Sequence, residues 1–134
     1  MPNPLLLDIV AYLTTKGVVS GDGIDIFRDF IPEMPDDIVI ITEYQGSPVL
    51  PYESAVHRSV QLSVRGKNAD IARSKALEIF SLLQEDIKDD SGRVDFTEER
   101  WGQVSLRQTP FRMSTDSSDR VRYAFNMGIT TTID

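Results

Sequence analysis

The stretch VHRSVQLSVRGKNADIARSKALEIFSLLQEDI, residues 56–87, joins two elements of different hydrophobic period. In its first half Val56, Val60, Leu62 and Val64 fall on one face of an extended chain. His57, Ser59, Gln61, Ser63 and Arg65 fall on the other, with Arg58 as one inward polar exception. Alternation of this kind marks a half-buried strand. Past a turn at Gly66, with Asn68 or Asp70 as the cap, Ala72, Ala76, Ile79, Phe80, Leu83 and Ile87 recur at helical spacing. Lys88-Asp89-Asp90-Ser91-Gly92 stops that helix.

Before this unit, Leu5, Leu6, Ile9, Val10 and Leu13 form a helical stripe that Asn3 and Pro4 start and Gly17 ends. Ile24 to Phe30 fits a short strand or one helical turn, and Pro32 and Pro35 bracket a turn. Ile38-Val39-Ile40-Ile41 is β-branched throughout and places a buried strand over 37–44. The connector 45–53 holds Gly46, Pro48 and Pro51. After the second helix, 101–109 reads as a strand with Val104 and Leu106 inward, and Trp101 either fills the core against that helix, the favoured reading, or anchors a partner surface. The alternation from Val121 to Ile133 predicts the longest strand. The order α-β-β-α-β-β predicts an α+β fold: a mostly antiparallel four-stranded sheet with two helices packed on one face. Residues 1–134 are expected to form one domain. The other sheet face, with Ser59, Gln61, Ser63, Ala124, Gly128 and Thr130, is expected to meet water or a partner.

Composition removes several kinds of chemistry. The chain has no cysteine, which excludes disulfides, thiolate metal sites and a cysteine nucleophile. Its apolar runs are too short for a membrane span, and Met1-Pro2-Asn3-Pro4 lacks the basic start of a signal peptide. The net charge is −7, and residues 1–56 alone supply it, with nine acids against Lys16 and Arg28. Tight nucleic-acid binding needs the opposite sign. The acidity serves either solubility or a partner-facing surface.

His57 is the single histidine and sits on a polar strand face, so it reads as structural. The clusters at Asp22-Asp25, Asp89-Asp90 and Asp116-Asp119 lack the spacing of a calcium loop and fit turn chemistry. No phosphate cradle and no Gly-x-Ser-x-Gly elbow occur. No catalytic, cofactor or metal site is therefore expected. Arg112, Arg120 and Arg122 flank the loop 113–119 and read either as a solvated rim or as partners for a neighbouring subunit's acids.

The segment Ile26 to Pro48 carries a Phe and a Pro-x-x-Pro-Asp lead into the apolar strand, then Glu43, Tyr44 and Gly46-Ser47-Pro48. With Val60 to Gly66, the helix from Asp70, Pro110 and Asp119-Arg120 to Asn126, it resembles the minor capsid protein group of tailed phages and prophages of Gram-positive bacteria. Arg28-Asp29 stands where that pattern has a glycine. The group is similar to tail-terminator, or tail-completion, proteins. The resemblance implies a virion protein, assembled in the host cytoplasm, that forms a hexameric ring at the head-proximal end of the tail. Its implied partners are copies of itself, the tail-tube protein and a head-completion protein. DNA would cross the lumen unread, and no membrane is involved. Tyr52, Glu53, Arg112, Asp116, Asp119, Arg120 and Arg122 are the residues expected to meet a subunit or partner. Two rival readings are a non-catalytic module binding a small ligand or peptide on the sheet face, and a hydrolase built on Asp and Ser. The first predicts a monomer with a concave apolar pocket, the second titratable groups converging in one cleft.

Overall fold

A computed structural model describes residues 4–44, 55–87, 91–113 and 115–132. The elements run α1 (Leu5–Thr15), β1 (Ile26–Arg28), β2 (Ile38–Tyr44), β3 (Ala55–Gly66), α2 (Ala69–Asp86), β4 (Arg93–Asp95), β5 (Trp101–Leu106), β6 (Phe111–Arg112) and β7 (Val121–Thr132). The alternating stretch of residues 56–65 becomes β3, which pairs along its whole length with β7, from Ala55↔Thr132 to Gly66↔Val121. The β-branched run becomes β2, antiparallel to β3 from Ile38↔Arg65 to Tyr44↔Ser59. These three strands form the centre of the sheet.

The sheet is larger and more mixed than the four antiparallel strands expected. It has seven strands in the order β1-β2-β3-β7-β5-β4, with β6 also on β7, and it curls into a half-barrel. The ambiguous segment 24–30 resolves into β1, which runs parallel to β2 at Ile26↔Val39. The polar connector after α2 supplies β4, antiparallel to β5. Both added strands are three residues long, too short to display an alternation, and neighbouring strands impose their conformation. The strand expected over 101–109 ends at Leu106, and β6 resumes along β7 at Phe111↔Ala124.

Both helices cover one face, as expected. Leu5, Ile9 and Leu13 of α1 join Ala76, Ile79 and Leu83 of α2 in a single apolar cluster. Val39, Ile41, Val60, Leu62, Val64, Phe125, Met127 and Ile129 supply its sheet side. Burying each large aliphatic side chain contributes about 2 kcal/mol. Phe80 meets Phe125 edge-on at 5.3 Å. Asn68 caps α2 by accepting from Ile71 N at 3.0 Å. Asn3 lies outside the described residues, and α1 begins at Leu5 with Pro4 in the cap position. The inward Arg58 pairs with Glu43 at 3.1 Å, which settles its exception to the alternation.

Two side chains depart from expectation. Trp101 is 44% exposed rather than buried. The inward position belongs to Gly102, where an added Cβ would lie 2.9 Å from Ile129 Cγ2 and 3.1 Å from the Phe96 ring. Phe96 thus fills the space, and Trp101 stacks outside under the Arg93 guanidinium at 4.7 Å. Asp8, one of the acids of the first half, is buried within the α1 stripe and pairs with Arg100 at 2.9 Å.

Candidate assembly surface

The turn before β2 is built around two arginines. Arg65, at 2% exposure, reaches from the end of β3 under residues 32–36. It donates through Nη1 to Pro32 O at 2.7 Å, through Nη2 to Pro35 O at 2.6 Å and Glu33 O at 3.3 Å, and through Nε to Asp36 O at 3.1 Å. A turn rich in proline has few N–H donors and a surplus of carbonyls, which a guanidinium fork matches. Burial lowers the Arg65 pKa, and the nearby positive charge of Arg120 lowers it further. The Met34–Pro35 peptide in this turn is cis.

Arg120 approaches from the β6–β7 loop. It donates to Glu33 O and sits 3.4 Å from Asp36, 3.6 Å from Glu33 and 2.8 Å from Asp116. Asp116 also accepts from Ser118 N at 2.9 Å and Arg120 N at 3.0 Å. Desolvation pushes the Asp116 pKa up, but these bonds and the guanidinium outweigh it and hold the carboxyl below its ordinary value.

On this braced turn the apolar side chains face outward. Phe30, Ile31 and Met34 are 61%, 52% and 66% exposed. Exposed apolar groups this close in sequence make the turn a candidate contact surface. Asp29 precedes them with φ 53°, in the left-handed region, at the place where the resemblance calls for glycine. Asp tolerates that conformation better than most residues do, so the turn keeps its path.

The opposite sheet face is polar and concave. A depression of about 480 Å³ is lined by His57, Ser59, Gln103, Ser105, Arg107 and Thr130 among others, and among the described residues no carboxylate lines it. Arg107 crosses its floor, donating to Tyr44 Oη and Ser59 Oγ, each at 3.2 Å. It lies against Gly128, where a Cβ would stand 3.0 Å from Nη2. His57 Nδ1 is 2.7 Å from Thr130 Oγ1. A second groove of about 730 Å³, between α1 and the β4–β5 turn, is walled by Tyr12, Phe96 and Trp101 with Lys16, Arg93 and Arg100. Burial, and then the hydrogen bond to Asp86, raise the Tyr12 pKa well above its ordinary value.

The residues expected at an interface scatter differently. Arg112 is exposed on β6, and Asp119 is exposed with φ 60°. Arg122 is half-buried and donates to Ser63 Oγ at 3.0 Å. Asp116 and Arg120 form the internal brace described above, so their charges are already engaged within the chain. Tyr52 and Glu53 lie outside the described residues. The sequence reading missed Arg65, Arg107 and the apolar turn; the pairing Ile38↔Arg65 is the signal that sets Arg65 beside the prolines. Among the described residues no three His, Asp or Glu side chains gather as metal ligands, and no helix is long and apolar enough to cross a membrane.

No curated protein matches the chain. The family described as bacteriophage tail terminator protein matches residues 12–133, which spans the braced turn, the polar face and every strand. The chain belongs to the bacteriophage tail terminator protein family, structural components of the phage tail.

Proposed function

We propose that the protein is the subunit of a hexameric ring that caps the tail tube at its head-proximal end. The ring stops tube polymerisation and offers its free side to a head-completion protein. The observation that carries this reading is the outward display of Phe30, Ile31 and Met34 on a turn fixed by Arg65 and Arg120. A rigid, preformed apolar surface loses little entropy on docking. Its acidic surroundings suit a channel through which DNA passes without being held.

Arg112, Asp119 and Arg122 on the β6–β7 side, with Tyr52 and Glu53, contribute to subunit or partner contacts in this reading. Asp116 and Arg120 act from behind by fixing the loop. Negative-stain electron microscopy of tail-tube protein polymerised with and without this chain tests the proposal. Capped tubes of limited length support it; tubes that grow unchanged contradict it.

A further inference from the structure

We propose that the polar depression on the sheet face is a carboxylate receptor for a second copy of this chain, and that Glu33 of that copy enters it. This deepens the self-assembly reading above and rests on it. Two surfaces of the chain carry opposite charge imbalances. Arg120 is shared among Asp116, Asp36 and Glu33, and the neighbouring Arg65 guanidinium is held by backbone carbonyls of the same turn, so three carboxylates meet two guanidiniums. The Glu33 side chain is the farthest of the three, at 3.6 Å, and is 84% exposed. It stands among Phe30, Ile31 and Met34, on the surface already suited to contact with protein.

Arg107 has the opposite imbalance. Among the described residues its partners are two neutral hydroxyls, which use two of its five N–H donors. Among the described residues, the depression around it offers hydroxyl, amide and imidazole groups, an Arg58 already paired with Glu43, and no lining carboxylate, in a chain whose acids outnumber its bases 21 to 14. Gly128 lets the guanidinium lie flat on the sheet, so its direction is set before any ligand arrives. An excess carboxylate on one surface and a carboxylate-free guanidinium on another form a heterologous contact, the kind that closes into a ring.

The chain has no cysteine, which permits a clean test. Glu33→Cys and Ser105→Cys chains are purified separately and mixed under mild oxidation, with size measured by light scattering. The proposal expects disulfide-linked dimers in the mixture in clear excess over either chain alone. It also expects Arg107→Glu to weaken self-association about tenfold or more, and Glu33→Lys to restore it in the double variant. Circular dichroism establishes that each variant is folded, and the cross-link stands independently of the Arg107 variant. Assemblies of normal size without the 33–105 link overturn this proposal and leave the ring reading intact. Chains that stay monomeric with tube protein present overturn both. Duplex DNA binding that disappears in Arg107→Glu overturns it in favour of a phosphate site.

Discussion

Arg65 Nη2 donates to the carbonyl of Pro35 at 2.6 Å, the shortest of four bonds by which one buried side chain holds the proline turn. The sheet thereby fixes the turn that displays Phe30, Ile31 and Met34 outside it. Arg65→Met keeps the aliphatic stem but takes the guanidinium donor from the carbonyls of Pro32, Pro35 and Asp36, while Glu33 O keeps Arg120. We expect a loss of about 3 kcal/mol in urea unfolding, with faster hydrogen exchange at residues 36–38.

The Asp8–Arg100 pair ties α1 to the turn before β5 within the apolar interior, with both side chains under 10% exposed. Removing one side chain takes from the other its buried counter-charge at 2.9 Å. Asp8→Leu or Arg100→Met alone should cost about 4 kcal/mol. The double variant Asp8→Leu with Arg100→Met should recover most of it, since no uncompensated charge is left. A double-mutant cycle by chemical denaturation measures the coupling; simple addition of the two losses would contradict it.

Asp29 occupies a left-handed conformation at φ 53°, so the side chain there matters through the backbone. Asp29→Gly should be within about 1 kcal/mol of the parent, because glycine enters this region freely. Asp29→Val should destabilise by about 2 kcal/mol, since a β-branched residue does not. Thermal melts of the two variants decide the sign.

The loop brace depends on ionised Asp116. Its folded pKa lies below the unfolded value of 3.8, so its contribution is fully present above that value. It is lost as pH falls through the lower folded value. Acid titration followed by NMR should therefore show the 116–120 loop loosening below about pH 4. Asp116→Asn should remove that pH dependence.

Much of the central fold was legible because long elements carry their own pattern. The alternation in β3 and β7 and the helical stripes of α1 and α2 each repeat several times within one element. The three-residue strands β1 and β4 do not, and only pairing reveals them. Trp101 shows a different failure. The alternation that turns Val104 and Leu106 inward also turns Trp101 outward, and reading the residue by its bulk overrode its position. The acid-rich first half was visible as charge, yet its organisation by Arg65 and Arg120 was not. Those contacts join residues 32–36 to residues about 30 and 87 positions away. Arg107 was hidden likewise, since its place depends on Gly128 lying beside Ser59 in the paired strands.

Surface completion by identical copies is most directly measured by native mass spectrometry of the purified chain across a concentration series, with and without tube protein. The account predicts a discrete species of six copies that forms as concentration rises and is depleted by Met34→Asp, a charge set into the apolar turn. A chain that stays at the mass of one copy throughout, and ignores tube ends, would contradict it.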